Sequence, residues 1–162
     1  MPLKSVDAGH TETLYVKRVV DVPYSYNAGK YVSRYLNELK EHKRIIGSKC
    51  SSCKKVFVPP RVSCSQCFQE NEEFVQVSDA GSITAFTVTT VPYTDPNTGE
   101  PKKLPFTAAY IKLDGADTNI MHCINETDGK VLKTGLRVRA VFSENRTGDH
   151  FTDIKYFAVI RD

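Results

Sequence analysis

Cys50-Ser51-Ser52-Cys53-Lys54-Lys55-Val56-Phe57-Val58-Pro59-Pro60-Arg61-Val62-Ser63-Cys64-Ser65-Gln66-Cys67 holds two Cys-x2-Cys pairs with ten residues between them. A Cys-x2-Cys turn points two sulfurs at one centre, and two such turns face to face complete a tetrahedral S4 site. The stretch from Lys54 to Ser63 is long enough for one short strand and a return. This is the layout of a zinc ribbon, with Cys50, Cys53, Cys64 and Cys67 as metal ligands. Two disulfides or four buried thiols are the bland alternatives. Cysteines two apart are poorly placed to bridge each other, and nothing else in the chain suggests secretion. Tetrahedral thiolates accept iron as well as zinc. Zinc is the expected ion of a structural ribbon, and a colourless protein would exclude iron. The ribbon is too poor in apolar residues to fold alone, so metal binding there is folding energy. Cys53→Ser is expected to release the metal and loosen the ribbon while the rest survives.

Toward the N-terminus, residues 28–43 are helical in pattern, with Tyr31, Tyr35, Leu36 and Leu39 at three-to-four-residue spacing. Asn27 is the expected N-cap and Gly47 ends the segment. An apolar stripe on a charged helix must pack on something, either the chain's own β-domain or a partner protein. The first 23 residues look like an extension with one β-prone run, Leu14-Tyr15-Val16-Lys17-Arg18-Val19-Val20, either disordered or paired with another surface.

After the ribbon the period becomes two. Expected strands are Glu73–Val77, Ser82–Val91, Pro105–Leu113, Thr118–Ile124, Leu136–Ser143 and His150–Ile160. The breaks between them carry turn residues such as Asp79-Ala80-Gly81 and Asp114-Gly115-Ala116-Asp117. Five or six short strands with little helix among them suggest a small closed barrel, and an OB-fold fits that count. One connection is long, Pro92 to Lys103, with three prolines and Gly99, and reads as a lid, a contact loop or a solvated hairpin loop. The fold class is therefore mainly β, with an N-terminal helix, a zinc ribbon and a five- to six-stranded OB-fold barrel. The division runs 1–27 extension, 28–46 amphipathic helix, 47–70 ribbon and 71–162 OB-fold domain.

Net charge is +3 over 162 residues, but unevenly spread. Residues 40–61 carry seven basic side chains (Lys40, Lys43, Arg44, Lys49, Lys54, Lys55, Arg61) against Glu41, so this segment is +6 and the remainder −3. The cations partly offset a metal–thiolate centre of charge −2, and a basic patch also attracts phosphates. No stretch approaches the ~18 apolar residues of a membrane span. Paired cysteines with a lone Cys123 fit a reducing cytoplasm.

Catalytic constellations are missing. There is no Gly-rich phosphate loop, no Gly-x-Ser-x-Gly elbow and no His-Glu-x-x-His. His10, His42, His122 and His150 are scattered over arm, helix, strand and loop, and nothing places two of them with a carboxylate. Glu72, Glu73, Asp149 and Asp153 read as ordinary surface acids. Cys123, in Ile120-Met121-His122-Cys123-Ile124, reads as a small buried hydrophobe, with His122 on the other face of a strand. A four-thiolate metal is closed and offers no water for hydrolysis. The chain is not expected to be an enzyme on its own.

The order of parts carries a resemblance. A helix leads into a Cys-x2-Cys ribbon containing Pro59-Pro60-Arg61, then Val75-Gln76-Val77-Ser78-Asp79-Ala80-Gly81-Ser82-Ile83, Thr84-Ala85-Phe86-Thr87-Val88, Pro105 to Leu113, and Gly135-Leu136-Arg137-Val138. Over residues 28–160 the chain resembles the acyl-CoA-associated OB-fold family with an N-terminal rubredoxin-like zinc ribbon. Members look like non-catalytic partners of thiolase-superfamily enzymes. They occur beside acetyl-CoA acetyltransferases, bridge a thiolase to hydroxymethylglutaryl-CoA synthase in archaea, and accompany the thiolase that cleaves 2-benzoylsuccinyl-CoA. Two departures stand out, one of them the 1–27 extension, which is longer than a minimal member needs. Knuckles of this type usually place Gly after the second Cys, where a left-handed backbone is easiest. Lys54 and Phe68 hold those positions, so the turns are strained or differently shaped.

The resemblance implies a zinc-binding accessory subunit in a hetero-oligomer with a thiolase-family catalytic subunit. That partner would supply the nucleophilic cysteine, and this chain would dock through the 28–43 helix and the ribbon. A CoA thioester shared with the partner could meet Arg61, Lys102 and Lys103 through its phosphates, against the plainer reading that these are solvated cations. The rival is a single-stranded nucleic-acid module, since ribbons and OB-folds both serve that role. Modest net charge, no Trp, and no aromatics interleaved with Arg or Lys on one strand pair disfavour it.

Overall fold

A computed structural model describes residues 9, 14–16, 25–94 and 99–161. Most of the expected extension, including the run Leu14–Val20 beyond Val16, lies outside the described residues, as do His10 and the tip of the Pro92–Lys103 connection.

Helix α1 spans Gly29–His42 and buries Tyr31, Tyr35 and Leu39, one stripe at spacing four. That stripe is spent on the chain's own body, where Tyr35 and Leu39 join the main core. The N-cap is Ala28, one residue later than expected. Asn27 still contributes, since its Oδ1 accepts the Gly29 N–H at 2.8 Å. The helix ends at Lys43, which is left-handed (φ 52°), and its N–H bonds back to Leu39 while Arg44 N–H reaches Glu38 O. That pattern satisfies the last carbonyls without glycine.

Gly47 is therefore not a helix stop. It sits in strand β1 (Ile46–Lys49), where a Cβ would lie 2.8 Å from both Phe57 O and Val56 Cγ1. β1 is the centre of a three-stranded antiparallel sheet, ordered β2-β1-β3, with β2 (Val56–Phe57) and β3 (Glu73–Gln76) at its edges. The expected strand at residue 73 thus belongs with the ribbon, and the sheet reaches across the expected divisions at 46/47 and 70/71.

The remaining strands are β4 (Ala80–Thr89), β5 (Phe106–Leu113), β6 (Asn119–Ile124), β7 (Arg137–Phe142) and β8 (Ile154–Val159). They close into a barrel in the order β4-β5-β6-β8-β7. Five strands closed in this order are an OB-fold, as the strand count suggested. Alternation decides the faces: Ala109, Ile111 and Leu113 point inward from β5 while Tyr110 points out. A bulge between Ile83 and Ala85 bends β4. Gly81 permits the close crossing of β4 and β5, because a Cβ there would overlap the Lys112 carbonyl oxygen. β6 and β8 run parallel and meet at one registered pair, Ile124↔Phe157, reinforced by Asn125 N–H to Phe157 O at 3.1 Å.

The expected strand from His150 begins later. His150–Asp153 form one helical turn, α2, capped by the Asp149 carboxylate on the N–H groups of Phe151 and Thr152. Asp153 is not a surface acid. It is fully buried and accepts the N–H groups of Thr147 (2.7 Å) and Gly148 (2.9 Å), tying the preceding turn to the helix. The Pro92–Lys103 connection extends the β4–β5 hairpin, pinned by a Thr94↔Pro101 bridge and by Lys102 N–H to Tyr93 O.

Candidate metal centre and its surroundings

The two knuckles repeat one hydrogen-bond pattern. In the first, Lys54 N–H bonds to Cys50 O (3.0 Å) and Cys50 N–H to Lys55 O (2.9 Å). In the second, Phe68 N–H bonds to Cys64 O (3.0 Å) and Cys64 N–H to Gln69 O (2.9 Å). Each requires a left-handed residue after the second cysteine, and Lys54 (φ 63°) and Phe68 (φ 57°) adopt it. The backbone keeps the glycine geometry without the glycine.

This geometry gathers Cys50, Cys53, Cys64 and Cys67 so that all four Sγ atoms lie within 4.8 Å of one another, with Cys53 and Cys64 at 3.6 Å. Sulfurs on an ideal tetrahedral zinc at ~2.3 Å stand about 3.8 Å apart, so the donor set fits such an ion. Cys50 and Cys64 are buried, and with Phe57 they form a small apolar cluster of their own. The N–H groups of Cys67 and Gln66 point at the Cys64 sulfur, both at 3.4 Å, and pull its thiol down to about 7. Cys53 moves the other way: the Lys55 N–H lowers it, but burial and the neighbouring thiols push it up to about 11. Four sulfurs so crowded cannot all ionise unless a cation joins them.

The predicted phosphate-facing cations fall on separate elements. Arg61 is on the ribbon, its guanidinium 5.8 Å above the Phe57 ring, and its backbone N–H and C=O both bond to the buried Ser48 hydroxyl at 2.9 Å. Lys102 precedes β5, with its ammonium 5.4 Å from the Phe106 ring, and Lys103 beside it is exposed. The basic run is also partly paired: Arg44 with Glu38 and Lys49 with Glu73.

Spacing along the chain gave no hint of two further groupings. Barrel closure brings His122 and His150 together, ring centroids 5.3 Å apart, against Phe151 and Phe157. The Tyr35 hydroxyl from α1 lies 2.7 Å from His150 Nδ1. Burial, followed by the charge of His150, pushes His122 down to about 4, and burial lowers His150 as well. Cys123 is half-buried on the opposite face of β6 rather than fully buried. The second grouping ties Val56 and Val58 to Asp117 and Thr118.

Residues 38–73 match the family described as the ChsH2 rubredoxin-like zinc ribbon domain, and residues 74–143 the ChsH2 C-terminal OB-fold domain. A DUF35 domain-containing scaffold protein of Pyrococcus furiosus is 27% identical over 118 residues, 73% of this chain and 82% of that protein. One of the same description from Methanocaldococcus jannaschii is 29% identical over 114 residues, 70% of this chain and 77% of its own. Among solved structures, a DUF35-family protein of Sulfolobus solfataricus superposes with a TM-score of 0.55 at 24% identity, over 78% of this chain and 83% of that one. A chain of the Ltp2-ChsH2(DUF35) aldolase gives 0.60 at 16% identity, over 83% and 98%. These two likenesses establish the fold. The two matches follow one another along the chain, ribbon before barrel, in the order that the sequence resemblance implied.

Proposed function

We propose that this chain, which carries the ChsH2-type zinc ribbon and OB-fold from residue 38 to residue 143, is a non-catalytic accessory subunit of a thiolase-superfamily acyl-CoA enzyme. The observation that carries this reading is the joining of a closed S4 cluster to a closed barrel through residues 56–58, with Phe57 packed on the thiolates while Val56 and Val58 enter the barrel's core. A saturated four-thiolate centre holds structure and offers no open coordination position. Relatives named as scaffold proteins, and a structural neighbour named as an aldolase of Ltp2 and ChsH2, support an accessory role beside an enzyme subunit.

Cys50, Cys53, Cys64 and Cys67 hold Zn2+, which supplies folding energy to the ribbon. The partner supplies the nucleophilic cysteine and the acid/base groups; this chain stabilises it and faces the CoA thioester with Arg61, Lys102 and Lys103. Five cysteines outside any disulfide suit a reducing cytoplasm. Among the described residues no helix is long and apolar enough to cross a membrane.

Purification of the chain from its native cells, with mass identification of what stays bound, tests the reading. A stoichiometric thiolase-family subunit is the expected result; nucleic acid without such a subunit overturns it. In the assembled complex, Arg61→Ala with Lys102→Ala/Lys103→Ala should weaken CoA binding roughly three- to tenfold, the loss of one or two charge-assisted phosphate contacts. Unchanged affinity rejects the CoA contact and leaves the accessory role standing.

A further inference from the structure

Residues 56–58, strand β2 and the residue that follows it, serve two masters. Val56 and Val58 project into the main core, which they share with Ile83, Ile111 and Val138 of the barrel. Phe57, between them, projects the other way and packs against Cys50 and Cys64. Period-two alternation thus sets one face of three consecutive residues on the thiolate cluster and the other on the barrel. Upstream, the Cys50 N–H bond to Lys55 O locks the first knuckle to the residue that precedes β2.

Val56 and Val58 are fastened to the β5–β6 turn, about 60 residues away along the chain, by four hydrogen bonds. Val56 N–H donates to Asp117 Oδ2 at 2.8 Å, and Asp117 N–H donates to Val56 O at 2.8 Å. Val58 N–H donates to Thr118 Oγ1 at 2.8 Å, and that hydroxyl donates in turn to Val58 O at 2.9 Å. These bonds satisfy both polar backbone groups of Val56 and of Val58. The turn they grip walls a surface groove through Asp114, Gly115 and Ala116, opposite Ser82, Thr84 and Gly135. Arg137 of β7 holds its other end through a paired contact with the Asp114 carboxylate.

We propose that β2 transmits the state of the metal centre to the barrel. With metal bound, Phe57 is seated, Val56 and Val58 are held in register, and the Asp117–Thr118 staple fixes the β5–β6 turn and the groove beside it. When metal leaves, the Phe57 seat dissolves and the turn is released, so the groove takes its shape only in the metallated chain. This rests on the reading of the four cysteines as metal ligands.

Amide hydrogen exchange on the full chain, loaded with Zn2+ or stripped by a chelator, tests it, with Co2+ thiolate absorption reporting metal uptake separately. Chelation should raise exchange at the Asp117, Val56 and Val58 amides at least tenfold. A chelated chain whose knuckle amides, Cys50 and Cys64, are freed while Asp117 keeps its protection overturns the proposal. Should the stripped wild type unfold throughout, Asp117→Ala/Thr118→Val decides. In that variant Ile83 and Ile111 should keep their protection on chelation, because the staple is cut; if they lose it as in the wild type, transmission through the staple is rejected. A chain that shows no cobalt–thiolate absorption at all fails the metal reading itself, and this proposal with it.

Discussion

Phe68 is 82% exposed and left-handed, an unfavourable combination that only the knuckle's two backbone hydrogen bonds sustain. A non-glycine residue in this region costs on the order of 1 kcal/mol or more. Since Phe68 buries almost nothing, Phe68→Gly sacrifices little packing, although glycine loses more entropy on folding. The balance predicts a gain of up to about 1 kcal/mol in the metal-loaded protein, read as a higher urea midpoint with an unchanged slope. Lys54 is a poorer test because its ammonium also bonds to Ser51 O. The need for a left-handed residue at 54 and 68 was implied by the family resemblance; that Lys and Phe adopt it and keep the shape of the turn was not legible. At Asp153 the sequence misled, because an acid in a polar turn looks solvated until the backbone N–H groups it receives are seen.

Elements were legible where their period was long enough to read. The eight residues of β5 alternate cleanly, whereas the four of β1, Ile-Gly-Ser-Lys, carry no period and were missed. α2 resembled the start of a strand because Phe151 and Thr152 favour one, yet the Asp149 cap wins over four residues. The contact between α1, α2 and β6 depends on residues from three distant segments, Tyr35, His122 and His150, so no local pattern could announce it. Its acid response follows from burial. Both histidines are held neutral in the folded state, His122 with its titration depressed to about 4 and His150 below the ordinary value. Asp149 raises His150 a little, while Lys102 lowers His122 further. The unfolded chain takes up these protons near pH 6.5, ahead of the folded one. The histidine contribution is therefore flat above pH ~6.5 and turns against the fold as pH drops toward 4, by on the order of 3 kcal/mol. Denaturation midpoints between pH 7.5 and 4.5 should reveal this slope, and His122→Leu should flatten most of it. A wild-type midpoint that holds steady across the range would rule it out.

On the scale of the whole molecule, helix, ribbon and barrel share one core running from Leu39 through Val56 and Val58 to Phe157. The sequence pointed instead to a ribbon that could loosen by itself, since composition and spacing report each part but not the seam between them. Cys53→Ser should accordingly lower the thermal midpoint of a single transition rather than split off an early, minor one. A biphasic melt with the upper step at the wild-type temperature would favour independent parts. The four-cysteine layout and the barrel's strand count came from short-range signals; the order in which strands close, and what plugs the closure, came from contacts across the chain.

The lone registered pair between β6 and β8 has a further consequence. A barrel is only as tight as its narrowest weld, and here Ile124 and Phe157 make that weld, with α2 and the foot of Tyr35 wedged into the gap alongside. Helix α1 is thus a keystone, set against the hoop from outside. A fragment trimmed to the OB strands would keep its staves and lose what stops them from springing apart.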